Sequence, residues 1–289
     1  MGGNGQDRVR HPRLTLSPAA LNPAAGGESA PALVAVAHGS RDPRAAATVS
    51  ELAAAVRERG RGIDVRAAFL DHSAPSLPQA LASLGGRPAV VVPLLLTAAY
   101  HSKRDIPARL AAVAASGPGG AVECAGPLGP HPLLTAALER RLGEAGVAVG
   151  DPAVRAATGV VLAAAGSSDP AANATIAALA AGWQRGRGWR AVLAAYASAA
   201  GPRPAEAVAA LRSAHDGPVV VATYLLAPGY FADQVRDAGL LAGAAAVSGV
   251  LGAAPEVAET VIERYRAATA TARPDRAAGR PPAAGAAWG

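Results

Sequence analysis

From residue 31 onward the chain alternates short apolar runs with segments whose apolar positions recur every three or four residues. The runs Leu33–Ala37, Val65–Leu70, Ala89–Leu96 and Ala121–Cys124 read as strands. The first three are apolar on both faces, as strands buried inside a parallel sheet are. Between and after them, Pro43–Arg59, Pro75–Leu84, Ile106–Ala115 and Pro132–Ala145 carry the i, i+3/i+4 spacing of amphipathic helices. Asp42-Pro43 and Asp105-Ile106-Pro107 read as helix starts, with Asp as the cap and Pro in the first turn. Such alternation implies an α/β fold in which helices flank a parallel sheet.

The pattern then restarts. A shift of 127 residues lays Ala37-His38-Gly39-Ser40-Arg41-Asp42-Pro43 on Ala164-Ala165-Gly166-Ser167-Ser168-Asp169-Pro170, Ala47-Thr48 on Ala174-Thr175 and Leu52 on Leu179. A shift of 130 lays Leu96 and Tyr100 on Leu226 and Tyr230. Gly, Ser, Asp, Pro, Thr and Leu all take part, so alanine bias does not explain the match. The chain therefore reads as an internal duplication, with copies over 31–148 and 158–268 and a linker over 149–157. Residues 1–30 and 269–289 are rich in Ala, Gly and Pro without periodicity and are expected to be disordered tails.

Composition narrows the classes. The 289 residues are 51% hydrophobic and 17% charged, too apolar for a chain disordered throughout, and 33 Gly and 24 Pro lack a collagen period. The net charge of +6 invites a nucleic-acid partner, but the basic residues never form a run of five and several lie in the tails. The remaining excess suits an anionic small molecule, and no nucleic-acid partner is expected. Cys124 is the single cysteine, which excludes an intramolecular disulfide and a cysteine-built zinc or iron–sulfur site within one chain, and fits a reducing compartment. The longest apolar stretch, Ala89–Tyr100, contains Pro93 and falls well short of the roughly 20 residues a membrane helix needs. No membrane association is expected, and without a secretory signal pattern the expected location is cytoplasmic.

Ligands of an open parallel sheet bind beyond the carboxyl ends of its strands. In the first copy those ends carry His38-Gly39-Ser40-Arg41, then Asp71-His72, then Tyr100-His101-Ser102-Lys103-Arg104. His38, Asp71 and His101 could converge on one divalent cation, since imidazole suits Fe, Co, Ni and Zn and a carboxylate completes an open site. A single histidine at a strand end is more often a loop or capping residue, and His72 reads either as a fourth polar group or as a solvated neighbour. The duplication supplies an internal control: the second copy has Ala165, Ser198 and Phe231 at the three positions, yet keeps Gly166, Asp169 and Pro170. Joint loss fits three residues that serve one site. Arg41, Lys103 (the only lysine) and Arg104 surround the histidine pair with positive charge suited to a ligand bearing several carboxylates. There is neither a P-loop nor a GxGxxG signature, no G-x-S-x-G elbow surrounds Ser40, and the Trp183 and Trp189 pair reads as packing.

The stretches Val34–Pro43, Phe69-Leu70-Asp71 and Pro93–His101 through Asp105-Ile106-Pro107 resemble the sirohydrochlorin chelatases, class II chelatases of lyase type that insert cobalt or iron into a tetrapyrrole. The resemblance covers about residues 31–268. It implies two tandem flavodoxin-like lobes facing each other across a cleft, the first catalytic and the second degenerate. It also implies that His38 and His101 bind metal and act in catalysis, with Asp71 in the place of the family's usual glutamate. Arg41, Lys103, Arg104 and Ser40 would meet the substrate. The metal, Co²⁺ or Fe²⁺ with Ni²⁺ open, would be a substrate in sirohaem or cobalamin biosynthesis, with no organic cofactor, in a monomer or weak homo-oligomer. Two other classes stay open: a non-catalytic metal carrier using the same histidines, and a hydrolase or phosphate-binding enzyme depending on Ser40 or the Gly39 turn.

Overall fold

The computed structural model describes residues 30–97 and 120–277. Its first sheet contains β1 (Ala32–Ala37), β2 (Val65–Phe69), β3 (Ala89–Pro93) and β4 (Val122–Cys124), all parallel, in the order β2-β1-β3-β4. The second contains β5 (Gly159–Ala164), β6 (Ala191–Tyr196), β7 (Val219–Tyr224) and β8 (Ala246–Val247), again parallel, in the order β6-β5-β7-β8. Register repeats as well. Ala37 lies opposite Phe69, and Ala164 opposite Tyr196, each residue 127 positions on.

β1 and β3 are buried along their whole length, which is why their sequences show no polar alternation. β2 departs from the expectation of a strand buried on both faces. It is an edge strand, and Arg66 is exposed and pairs with Asp64 at 2.9 Å. In sequence, the apolar residues around Arg66 hide that edge.

Helices α1 (Pro43–Arg59) and α2 (Leu77–Ala82) belong to the first copy, and α3 (Pro132–Glu144) follows β4. A short α4 (Pro152–Ala157) sits in the linker, followed by α5 (Pro170–Arg187), α6 (Pro204–Ala214), α7 (Tyr230–Leu241) and α8 (Pro255–Ala277). α2 starts later than its apolar spacing suggests, because Ser76 and Gln79 form a capping box that sets the first turn. Asp42 and Asp169 cap α1 and α5 identically, each accepting a backbone N–H two residues on at 2.9 Å. The expected helix at 106–115 lies outside the described residues. α8 corrects one boundary: it runs to Ala277, where a tail was expected from 269. Alanine counted there as low complexity, but it is also the best helix former.

The final helix of each copy packs on the sheet of the other. α3 lies against β7, and α8 lies against α1, β3 and β4. One apolar core therefore runs through both copies, joining Leu33, Val92 and Leu138 to Val160, Ile176 and Ile262. Within it, the nearly buried Glu139 of α3 accepts from Trp183 Nε1 at 3.0 Å and pairs with Arg187 of α5. These donors offset the cost of removing the carboxylate from water. Trp183 and Trp189 are buried and meet edge to face at 5.8 Å, a packing role. No helix among the described residues is long and apolar enough to cross a membrane.

The contact between α3 and α8 has a pH dependence. Glu256 receives Arg140 at 2.6 Å, and this hydrogen bond holds its carboxyl below the ordinary value of 4.5. Arg66 does the same for Asp64. A carboxyl depressed in the folded state stabilises the fold above its unfolded value, and that contribution disappears as pH falls through the folded value. The unfolding temperature should thus fall as pH drops below the ordinary carboxylate range, and Arg140→Ala should make the fall shallower. An unchanged slope in Arg140→Ala would show that this pair does not carry the effect.

Candidate functional site

β1 delivers His38 and β2 delivers Asp71 to adjacent points on one sheet edge. The Asp71 N–H donates to the His38 carbonyl at 2.9 Å, and the Leu70 N–H donates to Ala37 at 3.0 Å. Gly39 makes this approach feasible: its φ is +95°, and a Cβ there would lie 1.7 Å from the Asp71 carbonyl oxygen. The second copy repeats the arrangement without the functional side chains. Ser198 donates to Ala165 at 2.8 Å, and a Cβ on Gly166 would lie 2.0 Å from the Ser198 carbonyl oxygen. The geometry thus belongs to the strand-to-helix turn itself, and the first copy adds an imidazole and a carboxylate to it.

His72 takes a left-handed φ of 61°, and Ala199, 127 positions on, takes 57°. Since alanine adopts the same conformation, the turn and not the imidazole dictates it. Ser40 Oγ accepts the Asp42 N–H at 3.1 Å, as Ser167 Oγ accepts the Asp169 N–H at 3.0 Å. Both serines shape the helix entry. Arg41 is exposed and forms no ion pair among the described residues.

β3 runs beside β1, with the Leu94 N–H donating to Val36 at 2.8 Å, and the chain continues through Leu95 and Leu96 to Thr97. His101, Lys103 and Arg104 lie outside the described residues. Of the three expected metal ligands, the structure therefore places His38 and Asp71, both exposed at neighbouring strand ends. Among the described residues no three His, Cys, Asp or Glu side chains gather as a metal site.

His38 opens onto a cavity of about 290 Å³ between the carboxyl ends of the two sheets. Leu94, Leu96 and Thr97 line one side, and Ala165, Asn173 and Tyr224 the other. Its walls are mainly apolar, so an imidazole at the rim can present a cation to a ligand largely shielded from water. Two features here escape sequence inspection. Tyr224, buried on β7, donates its hydroxyl to the Leu96 carbonyl at 3.1 Å, tying the second sheet to the exit of β3, and burial pushes its phenol well above the ordinary range. Arg44 bridges Asp42 and Asp233 at 2.6 Å each, joining the start of α1 to the first turn of α7 and holding both carboxyls below their ordinary range through its hydrogen bonds. The tyrosine has a sequence trace, a bulky polar residue ending a Val- and Ala-rich strand. The Arg44–Asp233 pair, spanning 189 positions, has none.

The family model described as CbiX matches residues 32–145 and 159–268, the two copies. The chain is 38% identical over 79 residues to a sirohydrochlorin cobaltochelatase of Methanocaldococcus jannaschii, covering 26% of this chain and 55% of that one. It is 30% identical over 155 residues to one of Priestia megaterium, covering 52% of this chain and 49% of that one. The chain thus spans about half the length of the curated relatives it matches. Among solved structures it is similar in fold to SirB from Bacillus subtilis with Fe³⁺, at a TM-score of 0.70 and 24% identity over 84% of this chain and 97% of that one. It is also similar to CbiX, the terminal enzyme for siroheme biosynthesis in denitrifying bacteria, at a TM-score of 0.58 and 24% identity over 82% of this chain and 99% of that one.

Proposed function

The chain belongs to the CbiX family, and from that membership we propose that it is a sirohydrochlorin chelatase that inserts Co²⁺ or Fe²⁺ into the free-base tetrapyrrole. The observation that carries this reading is the placement of His38 at the mouth of an apolar cavity between two sheets, in the copy that also holds Asp71 one strand away. The relatives named as cobaltochelatases and the related fold of a SirB with Fe³⁺ support the same reaction class.

Insertion exchanges two pyrrolic N–H protons for one M²⁺, so the site must hold the ion weakly enough to surrender it and must accept protons. Imidazoles serve both needs, since their ordinary titration lies near neutral pH. In this mechanism His38 and His101 present the metal and take up protons, and Asp71 assists as an oxygen donor. Arg41, Lys103 and Arg104 meet the peripheral carboxylates. Ser40, whose oxygen already accepts the Asp42 N–H, keeps its own O–H to donate to the substrate.

The test is anaerobic addition of Co²⁺ or Fe²⁺ to sirohydrochlorin with the full chain, followed by absorbance. Insertion above the uncatalysed rate is expected. Tight Co²⁺ binding with no acceleration would identify a metal carrier instead, and absence of insertion together with chelator-resistant hydrolysis of an ester or phosphate ester would point to Ser40 chemistry.

A further inference from the structure

Over the carboxyl end of β6, the starts of α6 and α7 enclose a second hollow of about 440 Å³ that shares no lining residue with the cavity at His38. Ser198, Arg203, Tyr230, Phe231 and Gln234 line it. Ser198 and Phe231 stand where the duplication puts Asp71 and His101, so the hollow holds two of the three second-copy counterparts of the proposed ligands, while the third, Ala165, lines the cavity at His38. Its chemistry has changed. Ser198 and Phe231 put a hydroxyl and an apolar ring where the first copy has a carboxylate and an imidazole.

An aromatic platform lies there instead. Tyr230 is 76% exposed and Phe231 40%, and their rings meet edge to face at 5.7 Å. Among the described residues, Phe69, Trp183, Trp189, Tyr196, Tyr224 and Tyr265 are all buried. Aromatic side chains make up only 3% of the chain, yet two of them are presented to solvent side by side in one hollow. The ring planes stand 60° apart, so the more exposed Tyr230 offers its π face to a flat ligand while Phe231 borders it. Arg203 adds the polar part. Its guanidinium is exposed, is oriented by donation to the Ala197 carbonyl at 2.6 Å, and forms no ion pair among the described residues. Glu206 accepts the Arg203 backbone N–H at 2.7 Å, which caps α6. A stacking surface edged by an oriented guanidinium recognises a flat conjugated ring carrying carboxylates.

We propose that this hollow is a metal-free binding site for a planar conjugated polycarboxylate. If the function proposed above is taken as premise, that molecule is the tetrapyrrole: the second copy has exchanged metal handling for docking the macrocycle.

The test is a fluorescence-quenching titration of the metal-free full chain with an octacarboxylate free-base porphyrin. Tyr230→Ala/Phe231→Ala is expected to weaken binding at least about tenfold, in line with the loss of aromatic stacking on a flat heterocycle. Arg203→Gln should weaken the octacarboxylate but not a neutral water-soluble porphyrin. Unchanged affinity in both variants overturns the proposal. Tyr230→Ala alone, at a largely exposed side chain, keeps the test open should the double variant unfold. Insertion by the wild type is read separately. A chain that inserts no metal but loses porphyrin on the aromatic substitutions removes the activity and keeps the site. A chain that inserts metal while both variants bind normally does the reverse.

Discussion

Replacing His38 with alanine is expected to lower metal insertion at least about 100-fold, the scale of losing a positioned acid–base group or a metal-binding partner. The fold should not suffer, because the His38 side chain is exposed at the cavity rim, outside the apolar core. Its backbone carbonyl, which accepts the Asp71 N–H, is retained in alanine. The second copy already shows this turn forming with alanine, at Ala165. The thermal unfolding midpoint should therefore stay near that of the wild type while Co²⁺ affinity and insertion rate both fall. Wild-type insertion by His38→Ala would exclude the imidazole from the reaction.

Gly39→Ala should act in the opposite order, on the fold first and on activity as a consequence. A methyl group there would meet the Asp71 carbonyl oxygen at 1.7 Å while the residue keeps a φ of +95°. Neither demand can be met in place: the oxygen is backbone, and left-handed geometry is unfavourable to a side chain. Relief requires β1 and β2 to separate at their ends, which breaks the Asp71-to-His38 hydrogen bond and moves both side chains. Strain and overpacking together are worth roughly 2–5 kcal/mol, a large share of the roughly 5–15 kcal/mol that holds a domain folded. Gly166→Ala offers the matched comparison, with a Cβ 2.0 Å from the Ser198 carbonyl oxygen and a φ of +82°. Denaturant unfolding should show similar losses in both variants. Insertion per folded molecule should fall sharply only in Gly39→Ala, because only that turn carries His38 and Asp71. Equal insertion per folded molecule in the two variants would detach the reaction from the first turn.

Much of this architecture can be read from local patterns. Apolar runs spaced by helical periods locate β1 and β3, because helices on both faces require every residue of those strands to be apolar. Asp-Pro pairs locate the starts of α1 and α5, because a carboxylate cap and a ring-fixed φ are local requirements of a helix end. Self-comparison at a shift of 127 reveals the duplication and, through Ala165 and Ser198, singles out His38 and Asp71 in the first copy. What escapes is exposure along a strand and the far end of a helix. Arg66 sits at an edge among apolar neighbours, and an alanine-rich tail continues α8 to Ala277.

The sequence by itself determined the order of elements, the repeat and the residues at each strand end, since these depend on neighbours a few positions apart or on one copy resembling the other. The tertiary structure alone decided how the copies join: α3 on the second sheet, α8 on the first, Glu139 between them, and Tyr224 reaching across to Leu96. Those contacts link residues tens to more than a hundred positions apart and depend on which apolar faces meet when both sheets close. No periodicity encodes that choice. The same closure left His38 facing a cavity and gathered Tyr230, Phe231 and Arg203 around a separate hollow.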